Sequence, residues 1–313
     1  MALMFVMGLR ALVSLLILRA CAAAGQTPDE PTQRCTRRIS QTLGIGYRAS
    51  LQSLAGATPQ SKVRTWLESR DAIATFAGFI NSRFNAQPGA NLAEEGVPAA
   101  VRFILTNRKP WKELFTGRYT INHTNNLINE SATAPALGYF GSLGWQKRYL
   151  GNAPDGLMLS AAYRTMQNVV GLKLVPSPEN GEGDATATGR ERAECRGCHF
   201  DSPYALDLVA RLLPRKVGTG GGARAEKVAV TPQTIFNGLQ VRDYEHLVEV
   251  LTASDAFLFR TCRLAFEFVY GRPESACEAA MFDRCVDAFA RTGMMQDALA
   301  SYLEDPQYCE AVP

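Results

Sequence analysis

Histidine is scarce in this chain: three in 313 residues, at positions 123, 199 and 246. A closed zinc site needs four nitrogen or sulfur ligands, usually two cysteine knuckles or one knuckle with paired histidines. One knuckle and no paired histidines disfavour that chemistry. Long apolar runs are missing too, since Ala11 to Leu18 is too short to span a bilayer comfortably. Neither sign of charge dominates. The net charge of +3 includes Arg10 and Arg19 near the N-terminus, and without them 31 basic residues face 30 acidic ones. That excludes the electrostatic footprint of a nucleic-acid binder. No stretch sustains the alternation of a half-buried strand, so the expected fold class is mainly α. The glycines of "VGTGGGARAEK" follow no strand and lack Gly-Lys-Ser/Thr, and they read as a loop rather than a phosphate cradle.

What is present begins with "MALMFVMGLRALVSLLILRACAAAG". A basic residue, an apolar run, small residues and no acid have the grammar of a secretory signal peptide over residues 1–24, with Ala22 and Ala24 marking the cleavage site. Leu18-Arg19-Ala20-Cys21 competes as a lipoprotein signal, which would place a lipid anchor on Cys21. Both routes imply export, to the periplasm or beyond, or attachment to the envelope.

Helical periodicity fills most of the remainder. "SKVRTWLESRDAIATFAGFINSRF" sets Val63, Trp66, Leu67, Ile73, Phe76, Ile80 and Phe84 at spacings of three and four, and "VPAAVRFILTNRKPWKELF" repeats the pattern. Residues 115–155 read as connecting structure, Leu157 to Val170 as a buried helix, and "YALDLVARLLPRK" as a helix stopped by Pro214. Further helices are expected at Asp243 to Leu251, Ser254 to Tyr270, Ser275 to Ala290 and Met295 to Leu303. Three regions follow: the leader, an N-terminal helical region over 25–176, and a motif-bearing module with a helical C-terminal subdomain over 177–313.

Cys195-Arg196-Gly197-Cys198-His199 is the chemical signal. C-x-x-C-H is the attachment pattern of c-type haem, in which two thiols form thioethers with the porphyrin and the histidine ligates its iron. Cysteines three apart face one side of a helical turn, and the next residue can swing its ring beneath the group they hold. A thioredoxin-like pair would want a preceding strand, which this region lacks. A plain disulfide is the remaining alternative. The expected site is therefore one covalent haem c on Cys195 and Cys198 with His199 as proximal ligand. Candidates for the iron's other face are His123, His246, Met158 and Met294, with Met166, Met281 and Met295 also available.

The remaining cysteines are Cys35, Cys262, Cys277, Cys285 and Cys309. Export favours disulfides, and five is an odd number, so one thiol stays unpaired among them. Four of the five lie from Cys262 onward, which points to a doubly stapled C-terminal subdomain with undetermined connectivity.

The C-terminal stretch, with Gly238, Leu251, Ser254, Cys262, Phe268, Tyr270, Gly271, Arg272 and Cys285, resembles the helical modules of cytochrome-like secreted proteins of planctomycetes and myxobacteria. "PWKELFTGRYTIN" and "PDGLMLSAAYRT" resemble segments that precede the haem motif in that family. The likeness implies a cytochrome c-like haem module, an exported location and a haem, but no reaction. One departure follows the motif: Phe200-Asp201-Ser202-Pro203 keeps the family's Asp and Pro and lacks its methionine. The leading expectation is thus an exported monohaem cytochrome passing single electrons to a periplasmic or outer-membrane redox partner. Two alternatives stand beside it: a peroxide-handling haem oxidoreductase, and a non-catalytic envelope interaction protein whose cysteines serve only as cross-links.

Overall fold

A computed structural model describes residues 29–85, 96–151, 155–174, 186–201, 204–236 and 238–310. The leader, Cys21, most of the polar segment before the motif, and Ser202-Pro203 lie outside the described residues.

The first helix, α1 (Glu30–Leu43), starts where the Asp29 side chain accepts from the Thr32 amide and ends at Gly44 in the left-handed region. Cys35, Ile39 and Leu43, four apart, form its buried stripe. After α2 (Tyr47–Ser53), the periodic stretch predicted as one pattern forms two helices, α3 (Pro59–Leu67) and α4 (Arg70–Phe84). The cause is local. The Ser69 side chain accepts from the Ala72 amide and starts a new helix, as Thr58 does for α3. Next come α5 (Gly96–Thr106), the single turn α6 (Glu113–Thr116) and α7 (Leu143–Arg148).

The buried helix α8 (Leu159–Val170) is the hub, packing against α4 and against three later helices, α11 (Leu206–Ala210), α12 (Tyr244–Thr252) and α13 (Asp255–Tyr270). Hydrogen bonds between Thr165 and Tyr244 (2.9 Å) and from Asn168 to the Tyr139 hydroxyl (2.7 Å) pin it in register. It ends at Gly171, where φ is +77° and an added Cβ would lie 2.9 Å from the Arg260 side chain. Only glycine meets both conditions. Between α8 and α11 lie α9 (Ala187–Arg190) and the motif helix α10 (Ala193–His199). The chain closes with α14 (Ala279–Thr292), α15 (Met295–Leu303) and α16 (Pro306–Glu310). Because α15 packs on α3 and α16 on α1, the two ends of the described chain meet. One hydrophobic cluster runs through the whole, from Cys35 to Tyr308.

The result is a mainly helical, multi-layered fold with two disulfide bridges. Three short antiparallel hairpins accompany the helices of this mainly α fold: β1 (Tyr119–Ile121) with β2 (Ile128–Glu130), β3 (Arg215–Val217) with β4 (Arg224–Glu226), and β5 (Gln233–Ile235) with β6 (Leu239–Val241). The glycine-rich loop is the turn of the second hairpin, with Arg215 opposite Glu226. Strands of three residues leave no room for alternation to register in the sequence. The helix predicted up to Pro214 ends early, at Ala210, because the Leu212 and Leu213 amides bond back three residues, to Val209 and Ala210, instead of four.

The cysteine expectation also changes. Cys262 pairs with Cys285 inside the C-terminal helices, but the second bridge joins Cys35 to Cys309 across 274 residues, and Cys277 is an exposed thiol. The staple therefore ties the ends of the fold together instead of locking one subdomain twice. No helix among the described residues is long and apolar enough to cross a membrane.

Candidate functional site

The motif occupies a short unit in which α10 packs between α9 and α11. Thr186 caps α9 by accepting from the Gly189 amide, and α9 delivers Arg190 inward. In α11 the single acid Asp207 sits among buried Leu206, Val209 and Ala210. Ala205, at φ +46°, sets the entry angle of that helix.

These elements bring four side chains together. Arg190 is only 4% exposed and Asp207 only 1%. Arg190 Nε donates to Asp207 Oδ1 at 2.9 Å, and its Nη2 reaches Asp155 Oδ2 at 2.5 Å. The other Asp207 oxygen, Oδ2, meets His199 Nδ1 at 2.6 Å. Asp155 in turn accepts from the Leu157 amide at 3.2 Å, at the entrance to α8. Burial works against ionisation of Asp155, yet the hydrogen bond and charge of Arg190 outweigh it and hold the carboxyl below its usual range. Burial likewise opposes the Arg190 charge, and its two carboxylates more than restore it.

The consequence for His199 is orientation. With the carboxylate accepting at Nδ1, the ring is steered so that Nε2 is the nitrogen left for other contacts. The ring itself is 24% exposed. The cysteines, by contrast, sit at the surface: Cys195 is half-buried, Cys198 is exposed, both are free thiols, and none of the seven residues of α10 is buried. A porphyrin is enclosed by concave, mostly apolar walls, and α10 contributes no buried side chain to such a wall. The nearest ring, Phe200, has Arg211 over its face at 5.9 Å.

The other candidate residues are dispersed. His123 is exposed in the loop of the β1–β2 hairpin. His246, in the first turn of α12, accepts from the Arg242 amide at Nδ1 (3.2 Å), while its own amide donates to the Asp243 cap. Met158 is fully buried at the head of α8, and Met166 and Met295 are core residues. Met281 accepts from the Tyr270 hydroxyl at 3.2 Å. Met294 lies beside Arg64 and Arg108 at the start of α15. Among the described residues, no hydrogen bond or ion pair joins any of them to His199.

The electron-carrier reading is corrected by this arrangement. Among the described residues, no group of three or more His, Cys, Asp or Glu side chains could hold a metal ion. The cysteines that the fold does use, buried Cys35, Cys262 and Cys285 and partly buried Cys309, are joined in two bridges. This favours the cross-linked, non-catalytic alternative.

Sequence reading missed Arg190, Asp207 and Asp155. One signal for Asp207 was visible: a lone carboxylate in the apolar run "LDLVARLL" demands a buried partner. Nothing marked Arg190 apart from its neighbour Arg192, and Asp155 read only as a turn residue. No protein-family model matches the chain, and neither the curated proteins nor the solved structures contain a significant match.

Proposed function

We propose that this chain is a non-catalytic interaction protein of the cell envelope, exported and held in shape by disulfide cross-links. The observation that carries the reading is the use of cysteine: Cys35–Cys309 closes the first helix onto the last, and Cys262–Cys285 joins α13 to α14. Such bridges persist in oxidising compartments and are rare where glutathione keeps thiols reduced, which agrees with the export grammar of the leader. Closing a loop this long stabilises chiefly by restricting the unfolded chain, by about 2–4 kcal/mol per bridge. The half-buried Cys195 and the exposed Cys198 then serve as surface thiols for cross-linking, one turn apart on a helix anchored by Arg190 and Asp207.

The test is peptide mapping under non-reducing conditions, on protein exported by a host equipped for covalent haem attachment, together with its absorbance spectrum. The expected result is both bridges in place, Cys195 and Cys198 free of haem, and no Soret band. A haem bound through Cys195 and Cys198 would overturn the reading, as would a native protein in which Cys35, Cys262, Cys285 and Cys309 are all reduced.

A further inference from the structure

Beside the Cys35–Cys309 bridge lies a cleft of about 820 Å³, walled by α1, the start of α3 and α16. While α1 turns Cys35, Ile39 and Leu43 to the core, Arg34, Arg37, Arg38 and Gln41 line this cleft at spacings of three and four. Two of the arginine side chains are held by aromatic rings: Arg38 lies over Tyr308 at 4.5 Å and Arg37 over Tyr47 at 5.5 Å. Opposite them, the Gln60 amide reaches both bridge sulfurs at 3.4 Å. One carboxylate, Glu310, shares the lining.

Several arginines elsewhere on the surface spend their charge internally. Arg64 pairs with Asp297 and Glu304, Arg108 with Glu68, Arg263 with Glu274, and Arg272 with Glu278. Among the described residues, Arg34 and Arg37 make no such ion pair. Three planar forks on a concave wall, two of them held over rings, match carboxylate groups, which guanidinium binds through paired hydrogen bonds.

We propose that this cleft binds an acidic segment of a partner polypeptide, whose Asp and Glu side chains engage Arg34, Arg37 and Arg38. A concave cleft suits a peptide chain better than the flat surface of an anionic membrane. The proposal rests on the interaction-protein reading and gives that partner a chemistry. The bridge builds this wall of the cleft, because Cys309 and Pro306 belong to α16 and Cys35 to α1.

The experiment is fluorescence anisotropy of a fluorescein-labelled deca-glutamate peptide with the full, disulfide-intact chain at low salt. Saturable binding is expected, weakened by at least about tenfold in the R34E/R37E double variant. A control of equal net charge, R102E/R291E, places its changes at exposed arginines on α5 and α14 and should bind like the parent. Thermal melts show that each variant is folded. Absence of saturable binding, or equal losses in both double variants, would overturn the proposal. So would R34E/R37E-sensitive binding to phosphatidylglycerol vesicles without binding to the peptide, which would assign the face to a lipid surface. A covalent haem found in the mapping experiment would remove the cross-link reading without changing this binding result, so the two failures are separable.

Discussion

Among the described residues two arginines are buried, and they are treated in opposite ways. Arg190, 4% exposed, is met by Asp207 and Asp155. Arg260, 9% exposed on α13, has a buried Nε with no hydrogen-bond partner, and its charged neighbours include Arg83 and Arg263 as well as Glu267. Burial is the main force lowering its tendency to stay charged, and the two nearby arginines add to it against the pull of Glu267. A buried ion is tolerable when partners replace its water and costly when they do not. The first arginine thus organises the motif unit, whereas the second is a cost carried by the α8–α13 contact, where its side chain lies beside Gly171.

Substitutions should separate the two. Arg190→Met leaves Asp207 buried with only His199 beside it, and is expected to cost about 3–5 kcal/mol in a urea titration; a loss below 1 kcal/mol would mean that the network does not anchor α10. Arg260→Met keeps the length of the side chain and removes the unmatched charge, so the midpoint should hold or rise, by on the order of 1–2 kcal/mol. A clear loss there would show that Arg260 makes an interaction the comparison omits. His199→Ala removes one hydrogen bond while the Arg190–Asp207 pair survives, for about 1 kcal/mol.

The smallest effect is on the acid side. Asp155 has a carboxyl pKa depressed in the folded state, so its contribution is present above the ordinary carboxylate range and is lost as pH falls through the depressed value. Glu278, which Arg272 draws down to about 2 from a reference of 4.5, loses its contribution over that interval. Asp155→Asn should flatten part of the decline in melting temperature with acid. If the slope is unchanged, Asp155 is not coupled to folding through Arg190.

Much of the helical content was legible in advance because its signals are local. Met295–Leu303 has the boundaries expected from periodicity, and α13 starts one residue late and ends at the expected Tyr270, before a glycine in the left-handed region. The same local logic overran at "YALDLVARLLPRK", where the last turn before Pro214 tightens to three-residue bonds and the helix stops at Ala210. The site was legible in part. Cys195, Cys198 and His199 stood out by spacing, but the groups that orient His199 lie 8 residues away at Asp207 and, through it, at Arg190 and Asp155. The distribution of cysteines misled in a different way, because clustering in sequence suggested pairing within the cluster, yet the partner of Cys309 is at the other end.

By itself the sequence determined a mainly helical chain with a C-x-x-C-H turn, since composition, periodicity and capping act over a few residues. Only the tertiary structure decided which cysteines meet, which arginine receives carboxylates and which does not, and that the motif helix rests on the surface. Those outcomes depend on contacts between residues far apart in the chain, settled when α1, α8 and α16 pack around one core.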